Sequence, residues 1–155
     1  DDCVSVSSMA IIWGGNYFDL PPSRGYLVWD KMQNGFSLAD SELAWVSKPI
    51  TPRTFRFARA QLASEGKIHP TQKPVKLYEW LLTNYAKPND LILDTHCGSA
   101  SSLIACENLG FKYIASELDK DYYSQSLQRL ETHLAQGKLF QRSGATEFKE
   151  VNLFE

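Results

Sequence analysis

At 155 residues, with 43% hydrophobic and 12% aromatic content, the chain is long and apolar enough for one folded domain, and this composition excludes disorder. A formal charge of −2 and a pI near 5.9 exclude a globally basic nucleic-acid binder. The charge is uneven, however: residues 48–76 carry seven basic groups (Lys48, Arg53, Arg56, Arg59, Lys67, Lys73 and Lys76) against Glu65 alone, inside an otherwise acidic chain.

Three β-favouring runs come first. MAIIWGG (9–15), RGYLVWDK (24–31) and SELAWVS (41–47) read as strands, the second preceded by the turn-forming Pro21-Pro22-Ser23. Residues 48–68 read as an irregular excursion, and their charge fits either a polyanion contact or a solvated basic loop. After Pro74 the period changes: Val75, Tyr78, Leu81, Leu82 and Tyr85 recur at helical spacing, and Pro88 closes that helix. DLILD (90–94) reads as a fully buried strand, THCGSASS (95–102) as a loop of small residues, and SLIACENL (102–109) as a helix capped by Ser101 or Ser102 and stopped by Gly110. FKYIASE (111–117) is a further strand, residues 120–136 an amphipathic helix, and KLFQR (138–142) a possible short strand. Strand, small-residue turn, helix, strand, helix is half of a doubly wound α/β sheet. Cys3, Cys97 and Cys106 form no C-x-x-C pair, so neither a disulfide framework nor a metal site is expected. With no run of 18 apolar residues and no signal peptide, the expectation is a soluble cytoplasmic protein with no membrane partner.

In such a unit the ligand site lies beyond the carboxyl ends of the strands. Glu117 follows Asp94 by 23 residues (117 minus 94), near the spacing at which an acidic side chain meets a ribose diol. The loop lacks the dinucleotide G-x-G-x-x-G, and no phosphate-binding lysine follows it. Asp94 suits a cationic ligand group better than a pyrophosphate. A nucleoside carrying an ammonium points to S-adenosylmethionine, set against the plainer reading of an ordinary α/β turn.

The segment GKIHPTQKPVKLYEWLLTNYAKPNDLILDTHCGSASSLIACENLGFKYIASELDKDYY resembles the cofactor-binding half of DNA amino-methyltransferases of the permuted, β-type motif order. IIWGGNYFDLPPSRGYLVWDK resembles the region following that family's catalytic motif. The resemblance implies the α/β fold of S-adenosylmethionine-dependent methyltransferases in one domain over 1–155, with 69–136 as the cofactor-binding half and 48–68 as a target-recognition insertion. It implies that Asp94, Gly98 and Ser99 surround the cofactor, that Glu117 takes the ribose, and that Thr71, Gln72 and Lys73 hold the methionine end. His96 either lines the pocket or bonds backbone. Arg53, Arg56 and Arg59 are the expected contacts to double-stranded DNA. Phe55 and Phe57 between them read as packing in a small subdomain rather than as base-stacking groups.

Two departures from the family pattern matter. In D-x-F-x-G-x-G the matching positions are Asp94, His96, Gly98 and Ala100, and alanine can replace the last glycine where φ is negative. The catalytic tetrapeptide Asp/Asn/Ser-Pro-Pro-Tyr/Phe/Trp is absent from the 155 residues, and Asp19-Leu20-Pro21-Pro22-Ser23 is not a substitute, so no catalytic residue is identified. The expectation is therefore a sheet lacking the strand that carries this motif, with an upstream segment or another chain supplying it. Adenine-N6 is the favoured target and cytosine-N4 the alternative. A rival reading is an inactive remnant or accessory module that binds nucleoside or nucleic acid.

Overall fold

The computed structural model describes residues 2–33, 39–64 and 66–140. A short helix α1 (Asp2–Val6) leads to β1 (Ile11–Trp13), β2 (Gly25–Asp30), β3 (Ser41–Val46) and β4 (Arg53–Arg56). Helices α2 (Arg59–Ser64) and α3 (Val75–Tyr85) follow, then β5 (Leu91–Asp94), α4 (Ser101–Leu109), β6 (Lys112–Ala115) and α5 (Lys120–Phe140). The strands form two sheets, one in the order β1-β3-β2-β4 and one pairing β5 with β6.

In the larger sheet β3 runs antiparallel to both β1 and β2, while β4 is parallel to β2. Side chains alternate between faces. The registers Leu27↔Ala44, Trp13↔Ala44 and Trp29↔Phe55 put Trp13, Leu27, Trp29, Ala44 and Phe55 on one face. That face packs on α3 through Leu77 and Leu81, one helical turn apart. Trp29, Leu27 and Leu77 are fully buried, and burying side chains of this kind contributes about 1.5–3 kcal/mol each. Leu82 points about a quarter-turn away and meets Ala105 and Cys106 of α4. Helix α3 is thus the layer that joins the two sheets.

Three expectations need correction, while the packing role expected of Phe55 and Phe57 holds. Residues 48–68 are not irregular, because Arg53–Arg56 extends the sheet as β4 and Arg59–Ser64 forms α2. Phe55 and Phe57 lie in the core with Trp29, Leu62 and Leu77, and that apolar anchor carries an otherwise polar strand. The strand 91–94 is covered on one face only: Leu91 is 58% exposed, Leu93 46% and their neighbour Ile114 52%, since nothing among the described residues covers them. The last three residues of α5 are Lys138, Leu139 and Phe140, so the possible strand at 138–142 begins in helix, and 141–142 lie outside the described residues. Among the described residues β5 and β1 have no mutual pairing, and each borders only one strand. No described helix is long and apolar enough to cross a membrane.

Candidate active site

Parallel β5 and β6 end side by side, Asp94 opposite Ala115, and the loop between β5 and α4 is laced across them. Ser116 N–H donates to the Asp94 carbonyl at 2.9 Å, Cys97 N–H to the Ser116 carbonyl at 3.0 Å, and Ser116 Oγ to the Thr95 carbonyl at 2.9 Å. Asp94 uses both carboxylate oxygens: Oδ1 accepts His96 N–H at 3.1 Å, and Oδ2 accepts the hydroxyl of Ser102. Glu117 Oε2 accepts Gly98 N–H at 2.9 Å, while Oε1 accepts Asp119 N–H at 3.0 Å. Two carboxylates therefore flank one small-residue loop. Burial pushes the Cys97 thiol up to about 11, and Asp94 and Glu117 push the same way. Burial likewise raises Cys106 to about 12, so neither thiol serves as a nucleophile near neutral pH.

The segment before α3 closes over this loop. A Cβ built on Gly98, whose φ is +52°, would lie 3.5 Å from the His69 ring, in ordinary contact. His69 also meets Tyr122 of α5 edge-on, with ring centroids 4.3 Å apart. Thr71 hangs from His69, donating its N–H to Nδ1 at 3.3 Å with its hydroxyl 3.1 Å away. Three segments far apart in sequence (His69–Thr71, the Gly98 loop and Glu117–Tyr122) thus meet at one point.

The remaining anticipated residues are placed differently. Gln72 is buried, and its amide is engaged by backbone, donating to the Gly66 carbonyl at 3.0 Å and accepting Ile68 N–H at 3.0 Å; it shapes the loop. Lys73 Nζ pairs with Glu42 at 3.2 Å, at the carboxyl-end rim of the larger sheet, where Lys31 joins the same carboxylate at 2.9 Å. Burial pushes the Glu42 carboxyl up, but Lys73 and Lys31 outweigh it and hold it below its ordinary range. His96 is exposed, with Nδ1 2.9 Å from Thr95 Oγ1. Ser99 is buried, its hydroxyl 3.1 Å from that of Ser101.

The three arginines do not share a face. Arg53 aligns with Leu27 on the side packed against α3, whereas Arg56 aligns with Asp30 on the opposite side and pairs with it at 3.4 Å. Arg59 begins α2. The Pro21-Pro22 segment lies at the amino end of β2, where the Pro21 carbonyl takes the Trp45 indole N–H at 2.9 Å and Ser23 Oγ takes Gly25 N–H at 2.9 Å.

Helix α4 is preceded by Ala100 rather than capped by a serine side chain, and Ala100 sits at φ 60°. Alanine here does not occupy the negative-φ conformation in which it replaces glycine without strain. Gly110 stops the helix as expected, at φ 74°. Sequence reasoning also passed over Tyr122 and Arg129, whose guanidinium reaches the Ser99 carbonyl at 2.7 Å. Their seven-residue offset, two helical turns, was the one available sign that both look toward the loop.

Comparison with known proteins places the chain in a family. The chain is 33% identical over 66 residues, 43% of its length, to type II methyltransferase M.HpaI of Haemophilus parainfluenzae, and 33% identical over 70 residues, 45% of its length, to DNA adenine methyltransferase YhdJ of Escherichia coli (strain K12). These stretches amount to only 21% and 24% of the two relatives. Among solved structures, M1.HpyAVI in complex with S-adenosylmethionine superposes with a TM-score of 0.54 at 25% identity, over 68% of this chain and 61% of that one. The family model for N6 and N4 DNA methylases matches residues 22–128, more than half of the chain and all three of the converging segments. On that match the chain belongs to the DNA methylase family.

Proposed function

We propose that the loop 94–99 is the S-adenosylmethionine site of a DNA amino-methyltransferase. The observation that carries this reading is the convergence of His69–Thr71, Gly98 and Glu117–Tyr122 around a loop flanked by two carboxylates. The residues fit the cofactor chemically. Glu117 already accepts two backbone N–H groups, one on each oxygen, and has lone pairs left to accept from ribose hydroxyls, and Asp94 with Glu117 gives the loop a negative field that favours a sulfonium and an ammonium. Gly98 lets backbone approach closely, and Thr71, with Lys73 farther out, faces the methionine end. When bound, the cofactor supplies a methyl group on a cationic sulfur.

The chain's own residues bind and orient this donor. Activation of the acceptor amine needs hydrogen-bond acceptors that aim its lone pair, and an aromatic surface for a base rotated out of the duplex. No Asp/Asn/Ser-Pro-Pro-aromatic tetrapeptide occurs in the 155 residues. An upstream segment or a second chain supplies it, docking between β5 and β1, each of which borders only one strand among the described residues. The target is adenine-N6, in keeping with the adenine enzyme YhdJ among the relatives. The absent tetrapeptide also favours a second reading, a nucleoside-binding remnant without transfer activity.

The test is incubation with S-adenosylmethionine and unmethylated double-stranded DNA, with and without a supplied Asp-Pro-Pro-Tyr segment, followed by mass spectrometry of the nucleosides. N6-methyladenine only with the added segment is expected. N4-methylcytosine overturns the target assignment, and no product in either arm favours the remnant.

A further inference from the structure

Ala100 is fully buried and left-handed, at φ 60° and ψ 21°. That conformation is unfavourable for an L-residue, and alanine has no polar side chain to offset the cost. The other non-glycine residues with positive φ among the described residues, Met32 and Asn89, are exposed residues of a bend and a turn. Something must therefore hold the Ser99–Ala100 peptide in this orientation. A flip of that peptide plane would reverse the Ser99 carbonyl and the Ala100 N–H together and return φ to negative values. Both groups are pinned. Ala100 N–H donates to the Cys97 carbonyl at 2.9 Å, and the Ser99 carbonyl accepts from Arg129 Nη1 at 2.7 Å. The same nitrogen donates to Ser101 Oγ at 2.8 Å, which ties the peptide to the first turn of α4. Bonds from a guanidinium are charge-assisted and stronger than neutral ones.

We infer that Arg129 is a positioning residue: it locks the Ser99–Ala100 peptide plane and so sets the shape in which Cys97–Ser99 meets the cofactor. It acts through the backbone. The cofactor part of this inference rests on reading 94–99 as the S-adenosylmethionine loop; the locking part does not.

The experiment compares the parent chain with R129A, R129K and R129A/A100G. It uses amide hydrogen exchange at Ala100, whose N–H belongs to the plane, and at Ile104, whose N–H donates to the Ala100 carbonyl in the next peptide, and calorimetric titration with S-adenosylhomocysteine. R129A is expected to speed exchange at both amides by about tenfold or more, leave the β2–β3 ladder unchanged, and weaken affinity by about tenfold. In R129K an ammonium replaces the two-way donor, and the expected change is about threefold. Glycine at position 100 adopts positive φ without strain, so R129A/A100G should recover most of the lost affinity. Unchanged exchange in a folded R129A, or in R129K if R129A does not fold, overturns the locking role. Faster exchange with unchanged affinity overturns the link to the cofactor. A parent chain that binds no S-adenosylhomocysteine refutes the cofactor reading, while the exchange arm still decides whether Arg129 locks the plane.

Discussion

The four-stranded sheet with α3 and the carboxyl-end loop of the smaller β5–β6 unit are held by different physics, although Leu103 and Ile104 of α4 form an apolar core of their own with Leu130. In the first, large side chains are buried: Trp29, Leu27 and Leu77 lie out of water, and even the arginine-bearing β4 is anchored by Phe55. In the second, the strands leave Leu91, Leu93 and Ile114 half in solvent, and order at the carboxyl end comes from polar lacing by Asp94, Ser102, Glu117 and Arg129. Apolar burial is non-directional and supplies stability. Hydrogen-bonded carboxylates and a left-handed alanine supply a defined loop shape at some cost in stability, as is usual where a ligand is to be held. One region serves as scaffold and the other carries the proposed site.

The sharpest way to break this contrast is to damage the scaffold. Leu77→Ala removes a fully buried side chain from the layer that joins the sheets. A loss of about 2–5 kcal/mol in denaturant unfolding is expected. A loss below about 1 kcal/mol would mean that α3 does not unite the two regions.

Acid separates the regions more gently. The Glu42 carboxyl is depressed in the fold despite its burial, because Lys73 and Lys31 face it. A carboxyl whose folded value is depressed contributes stability above its unfolded value, and that contribution is lost as pH falls through the folded value. Stability should therefore decline below about pH 4.5, and Glu42→Gln should flatten that decline. With the side chain 32% exposed, the effect is expected within about 1 kcal/mol, read from urea midpoints against pH. An identical acid limb in the variant would show that the Lys31–Glu42–Lys73 bridge across the sheet rim contributes nothing.

The smallest expected effect concerns DNA. Arg53 and Arg56 look to opposite faces of the sheet, so they are not expected to contribute equally. Arg56 has the freer side, at 74% side-chain exposure, and Arg56→Ala should reduce the salt slope of DNA binding by up to about 0.9, with Arg53→Ala changing it less. Equal reductions would return both residues to one interface.

Much of the smaller unit was legible in sequence because its signals are local. DLILD, the small-residue loop, Gly110 and FKYIASE each mark a boundary by their own chemistry, and α4 and β6 fall within a residue or two of those marks. Strand β4 was hidden, because Arg-Thr-Phe-Arg has a single apolar residue and its pairing with β2 is a long-range fact. Three features of the site were equally out of reach. Backbone φ at Ala100 does not follow from residue type, Gln72 is engaged by backbone that only the folded loop brings near, and Arg129 reaches a carbonyl 30 positions away. Local signals marked the loop and its flanking strands, whereas the long-range contacts that hold the loop in place left almost no mark in the sequence.

The central claim is that the loop between Asp94 and Ser99, with Glu117, holds S-adenosylmethionine. Calorimetric titration of the chain and of Glu117→Ala with S-adenosylhomocysteine tests it most directly. One-site binding by the parent is predicted, with affinity reduced at least about tenfold in Glu117→Ala, because hydrogen bonds to a charged group contribute roughly 1.5–3 kcal/mol. Equal affinity in a folded Glu117→Ala, or no binding by the parent chain, would contradict it.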